Sequence, residues 1–208
     1  RTKDTIREIY FTMCAISDSL TISIPNAKQT LRDDVQGFRI FSLQKPLLPG
    51  DTTRIHLDNI LMHKGFKNNV DFVKITSNGS FFDNSDIHPL IGYVAGNELE
   101  DKNKRKELKL PPRKRMQLLS EDSLSRMSSY LPTNSTWVDV TTTISTAIDQ
   151  IAIAPGSLIK SWTANRKKYF TYTLDKASVN FYSILSARYE VARSKWNGID
   201  IEVYYDKQ

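Results

Sequence analysis

The stretch that decides the fold reads Tyr189-Glu190-Val191-Ala192-Arg193-Ser194-Lys195-Trp196, then Asn197-Gly198, then Ile199-Asp200-Ile201-Glu202-Val203-Tyr204-Tyr205. Two alternating runs flank an Asn-Gly pair. Those two residue types tolerate the positive φ that a two-residue hairpin turn needs. Such a loop pairs Trp196 with Ile199, Lys195 with Asp200, Ser194 with Ile201, Arg193 with Glu202 and Ala192 with Val203. One face then carries two opposite-charge cross-strand pairs, and the other carries apolar residues.

Outward from this hairpin the same signals recur. Residues 137–144, 150–154, 158–162 and 168–174 read as four more short strands, with turns at Pro155-Gly156 and over the polar residues 163–167. Towards the N-terminus, residues 6–24 mix β-branched, aromatic and Ser/Thr residues and end at Pro25-Asn26. Residues 37–43 form a further run, Pro49-Gly50 a turn, and residues 52–61 a strand with Ile55, Leu57 and Asn59 on one side. Asn78-Gly79 is another turn signal. Many short strands with frequent turns predict a mainly β chain, an antiparallel β-sandwich or saddle-like β-domain, as a single domain over residues 1–208. The exception is a long, partly helical connection over residues 92–136. Asn97 and Glu100 have capping-box spacing, residues 98–108 are good helix formers, and Pro111-Pro112 stops the helix.

The chain has 208 residues, 39% hydrophobic and 25% charged, which excludes a disordered or fibrous polypeptide. Its longest uncharged run in the part richest in apolar residues, 177–187, falls short of the roughly 20 residues that span a bilayer. It opens on Arg1, so it reads as a piece of a longer protein. The lone Cys14 excludes an internal disulfide framework and a Cys-rich zinc site. The net charge of +6 is unevenly placed. Residues 102–115 hold eight basic residues and one acid, while the other 194 hold 21 basic and 22 acidic ones.

That strip supplies the candidate partner contact: Lys102, Lys104, Arg105, Lys106, Arg113, Lys114 and Arg115. It could meet phosphates, an anionic lipid surface or an acidic partner, or simply be a solvated helix whose bases oppose Glu98, Glu100, Asp101 and Glu107. It lacks the aromatics that stack single-stranded bases, so no nucleic acid is expected. Catalytic patterns are missing: there is no His-Glu-x-x-His, phosphate-binding loop or nucleophile elbow. His56, His63 and His88 are scattered, and Cys14 has no neighbouring His to activate it. No catalytic, cofactor-binding or metal residue is assigned. Asn78-Gly79-Ser80 and Asn134-Ser135-Thr136 match the glycosylation sequon, a pattern short enough to arise by chance. Trp137, Trp162, Tyr169, Phe170, Tyr172, Phe181 and Tyr182 could line a sugar or peptide cleft, although aromatics at strand spacing are more often core. A stand-alone glycan- or peptide-binding β-sandwich module therefore stays open as an alternative.

Several longer runs carry a resemblance. They are Asn78-Gly79-Ser80-Phe81-Phe82, Ile91-Gly92-Tyr93, residues 105–116 (RKELKLPPRKRM), residues 149–156 (DQIAIAPG), Lys168-Tyr169-Phe170, and residues 186–191 (SARYEV). Over residues 35–206 the chain resembles bacterial membrane proteins in which an ABC-type export permease is fused to a zinc aminopeptidase-like region of the membrane alanyl aminopeptidase (gluzincin) family. Residues 45–51 (KPLLPGD) are similar to a strand-and-turn element in the N-terminal β-domain of such aminopeptidases. The resemblance implies a saddle-like β-domain preceding a thermolysin-like catalytic domain that holds zinc through His-Glu-x-x-His and a later Glu. Neither motif is in this chain, so no zinc ligand carries over. It further implies a fragment of a membrane-anchored parent, lying on the extracytoplasmic, periplasmic face. The fragment itself is expected to be no enzyme and to hold no cofactor, whereas the parent would bind zinc and use ATP through a separate ATPase. The implied partners are the following peptidase-like domain, the parent's membrane segments and a peptide substrate whose end this domain holds. Its implied job is to pack on the catalytic domain and shape the cleft.

Overall fold

The computed structural model describes residues 5–13, 18–62, 74–92, 98–112 and 137–206. In chain order the elements are β1 (Ile6–Thr12), β2 (Ser19–Ser23), β3 (Ala27–Asp33), β4 (Phe38–Leu47), β5 (His56–Ile60), β6 (Gly79–Asp83), α1 (Asn84–Ile87), β7 (Leu90–Ile91) and α2 (Lys102–Glu107). They continue as β8 (Trp137–Val138), β9 (Thr141–Ala147), β10 (Ile151–Ile153), β11 (Ser157–Ala164), β12 (Lys167–Thr173), β13 (Ser178–Val179), β14 (Ser183–Ala187), β15 (Glu190–Trp196) and β16 (Ile199–Tyr205). The protein is mainly β, as expected, with several antiparallel sheets. The chain divides into two compact units, each made of two separated segments: residues 1–59 with 88–136, and residues 60–87 with 137–208.

In the first unit a four-stranded sheet has the order β3-β4-β1-β7, and β2 pairs with β5 in a second sheet. Alternation turns Ile9 and Phe11 of β1 inward, and likewise Leu20 and Ile22 of β2. With Ile24 and Phe41 they form one core, in which the Phe11 and Phe41 rings meet edge to face at 5.6 Å. Burying Phe11 completely contributes on the order of 1.5–3 kcal/mol. Leu57 and Asn59 do share the less exposed side of β5, beside Ile55. β3 was not foreseen. Its sequence, AKQTLRD, is polar and mostly exposed, so it carries no apolar alternation and exists as an edge strand paired to β4.

In the second unit β12 lies between β11 and β9, β14 lies between β10 and β6, and β13–β8 and β15–β16 are two-stranded. Phe170 and Tyr172 of β12 bury against Ala152 and Ala154, with Ile144, Ile151 and Ile184 packed around them. The Tyr172 hydroxyl donates to the Ala152 carbonyl at 2.9 Å, so its polar end is satisfied inside the core. On the opposite face of β12, Thr171 and Thr173 meet Thr143 and Thr141 of β9 in hydroxyl contacts of 3.0 and 3.3 Å.

A polar cluster ties the two segments of this unit together. Gln150 Oε1 accepts from Thr146 Oγ1 (2.6 Å) and Ser186 Oγ (2.9 Å), and its Nε2 donates to the Asn78 carbonyl (2.9 Å). Asn78 in turn donates to Asp206 at 2.8 Å. The turn signalled by Asn78-Gly79 is present, with Thr76 N–H donating to the Gly79 carbonyl at 2.7 Å. Its glycine answers a different need, because a Cβ there would stand 2.0 Å from the Ser186 carbonyl oxygen.

The expected single helix is corrected in two ways. A four-residue helix, α1, precedes the long connection, and α2 is shorter than residues 98–108. Its cap is Asp101, whose carboxylate accepts from Lys104 N–H at 2.7 Å, whereas Asn97 lies outside the described residues. Among the described residues no helix is long and apolar enough to cross a membrane.

Candidate functional site

The basic strip is brought together only in part. Lys102, Lys104 and Lys106 are exposed on α2, and Arg113, Lys114 and Arg115 lie outside the described residues. Arg105 is the correction within the set. It is 8% exposed, donates through Nε and Nη2 to the Pro111 carbonyl (3.0 and 2.8 Å), and donates through Nη1 to the Leu99 carbonyl (2.8 Å) and Glu98 (3.2 Å). This guanidinium fastens the chain on either side of α2 and presents no face to a partner. Of the acids set against the strip's bases, Glu98 lies before the helix and pairs with Arg105 at 3.2 Å.

The sequence missed a cleft in the second unit. The hairpin forms with the register read from the sequence, all five expected pairs included, and Asn197 and Gly198 take φ of 51° and 81°. Its orientation is the reverse of what its alternation invites. Val191, Arg193, Glu202 and Tyr204, on the face with the charged pairs, line a cavity of about 480 Å³ together with Ile151, Leu158, Lys168, Phe170 and Tyr172. The apolar face points away from the cavity, and Trp196, Ile199, Ile201, Val203 and Tyr205 are exposed, Trp196 to 65%.

Within the cleft the polar groups are ordered. Glu202 accepts from Arg193 Nε at 2.8 Å through one oxygen and from the Tyr204 hydroxyl at 2.5 Å through the other. These two bonds, Tyr204 first, hold the Glu202 carboxyl below the usual carboxylate range. Burial first, and then Glu202, pushes the Tyr204 phenol up to about 12. Lys168, next but one to Phe170 on the same face of β12, sits close enough to Asp149 to help depress that carboxyl. The main cause there is the Arg188 guanidinium at 2.5 Å.

The remaining residues singled out in the sequence are dispersed. His56 and His88 are exposed, and Cys14, His63 and the sequon at Asn134 lie outside the described residues. Among the described residues no three His, Cys, Asp or Glu side chains gather into a metal-binding group. Phe170 and Tyr172 are core, and Trp162 and Tyr169, stacked at 4.9 Å, also line the cleft. Trp137 and Phe181 are exposed and Tyr182 is half-buried.

No family model matches the sequence, and no curated protein matches it. Solved structures do. A two-domain M1 zinc metallopeptidase, as its E323A mutant bound to L-tryptophan, is similar at 11% identity with a TM-score of 0.51, over 96% of this chain and 39% of that one. The M1 zinc metallopeptidase from Deinococcus radiodurans gives 16% identity and a TM-score of 0.46, over 93% of this chain and 37% of that one. Its E323A mutant with a Tyr-Ser-Ala substrate gives 12% and 0.49, over 97% and 40%. The chain spans about two fifths of the length of these structures, and by its likeness to the first of them its fold resembles the N-terminal β-domain of the M1 aminopeptidases.

Proposed function

We propose that this chain is a non-catalytic β-domain that packs on a zinc metallopeptidase-like domain and shapes its cleft. In the finer form of this reading the parent is a membrane-anchored fusion of an ABC-type permease with an aminopeptidase-like region, and this domain lies on its extracytoplasmic face. The observation that carries it is the fold likeness, which takes in nearly all of this chain but 39% of the metallopeptidase. The permease and the placement rest on the sequence resemblance over residues 35–206. A domain with this job needs an apolar surface for its neighbour, and the outward face of β15–β16 supplies Trp196, Ile199, Ile201, Val203 and Tyr205. We assign the docking of the peptidase-like domain to that face.

Metal analysis and an aminoacyl-arylamide assay on the purified chain test the non-catalytic reading. Less than stoichiometric zinc and no turnover are expected, and chelator-sensitive hydrolysis would overturn it. In the parent, a reporter inserted in the Asn197-Gly198 turn should respond as an extracytoplasmic one.

A further inference from the structure

A two-stranded ribbon beside an aromatic sheet face would ordinarily lay its apolar side on that face. Here β15–β16 does the opposite. Its charged and phenolic side chains line the cavity together with Phe170 and Tyr172, and five large apolar side chains stay in solvent. Local choices that run against the global packing tend to mark functional sites.

The contents of the cavity define what fits. Its lining is apolar and aromatic at Leu158, Phe170, Tyr172 and Val191, with Ser161 and Thr163 as neutral polar groups. Both Glu202 oxygens already accept hydrogen bonds, so that carboxylate is satisfied within the protein. Arg193 lines the cleft with a side chain 69% exposed and bonds Glu202 through Nε. Lys168 forms no ion pair within 4.0 Å among the described residues. The cleft therefore offers two cationic side chains, Lys168 in the neighbourhood of Asp149 and Arg193 on the engaged Glu202, beside an apolar and aromatic lining. A volume of about 480 Å³ falls within the roughly 300–1,000 Å³ of small-ligand sites and has room for more than one amino-acid residue.

We infer that this cleft is a binding site for a small carboxylate with an apolar tail, the carboxylate on Lys168 and Arg193 and the tail over Phe170 and Tyr172. The inference rests on the cleft alone and stands whether or not a peptidase domain adjoins it. Two sources share the chemistry, the free C-terminus of a hydrophobic peptide and a medium-chain fatty acid.

Calorimetric titration of the whole chain separates them, using N-acetyl-Leu-Phe as the acid and as the amide, and octanoate beside octanamide. An acid should bind about tenfold or more tighter than its amide, as a charge-assisted contact requires. Whichever acid does so names the source. Lys168→Ala should remove most of that preference and Lys168→Arg should restore it, with unchanged circular dichroism showing that both variants fold. No heat from either acid at millimolar concentration would overturn the site. So would acid and amide binding within twofold of one another, or a preference that survives Lys168→Ala.

Discussion

The sheet β11–β12–β9 and the hairpin β15–β16 are both antiparallel, both alternate, and both belong to the second unit, yet they treat their apolar faces in opposite ways. β12 turns Phe170 and Tyr172 into the core and leaves its threonine face outside. β15–β16 turns Arg193, Glu202 and Tyr204 towards the cleft and leaves Trp196, Ile201 and Val203 outside. Alternation decides which residues share a face. It does not decide which face a neighbouring element will cover, because that depends on where the rest of the chain is.

The largest expected effect breaks the sheet's half of this contrast. Phe170→Ala should destabilise the second unit by about 3–5 kcal/mol through the transfer and cavity costs of an aromatic core residue, read from urea unfolding. A loss below about 1 kcal/mol would mean that the β12 face is not core. Next comes the polar cluster that ties residues 60–87 to this sheet. Gln150→Ala leaves Thr146, Ser186 and the Asn78 carbonyl without their shared partner, for an expected cost of about 1–3 kcal/mol. Hydrogen exchange should show β6 loosening first.

A smaller, pH-dependent effect sharpens the hairpin's half. A phenol raised to about 12 when folded, against about 10 in the unfolded chain, retains its proton longer in the native state. Its contribution is therefore complete below pH 10 and is lost as pH rises towards 12. Burial also raises the Tyr172 and Tyr182 phenols, so tyrosinate absorbance should show a late-titrating component that Tyr204→Phe reduces without abolishing. The smallest effect belongs to the outward face. Ile201→Ser together with Trp196→Ser should change the stability of the chain by no more than about 0.5 kcal/mol each, since both side chains lie on the exposed face. The same pair should weaken association with a peptidase-like domain, measured by co-purification. A stability loss as large as that of Phe170→Ala would show that the hairpin face is core after all.

Much of the fold was legible because its signals are local. The register of β15–β16 follows from two residues, Asn197 and Gly198, whose φ values of 51° and 81° few other pairs adopt easily. Turns at Asn26, Gly50 and Gly156 are likewise fixed by left-handed backbone at those residues. β3 escaped because an exposed edge strand can be polar, and the start of α2 because Asp101 outcompetes the earlier capping signal. The cleft left no sequence signal, since Lys168 and Glu202 are 34 positions apart and neither belongs to a catalytic pattern. The burial of Arg105 was hidden too. Its three acceptors are two backbone carbonyls and a carboxylate that only the loop around α2 brings within reach.

By itself the sequence determined that this is an antiparallel β protein with a hairpin of known register, because turn chemistry and alternation act over a few residues. Only the tertiary structure decided that the hairpin presents its charged face to the cleft and its apolar face to solvent. Burial is a property of what lies opposite a side chain, and here that opposite surface comes from a separate strand, β12, earlier in the chain.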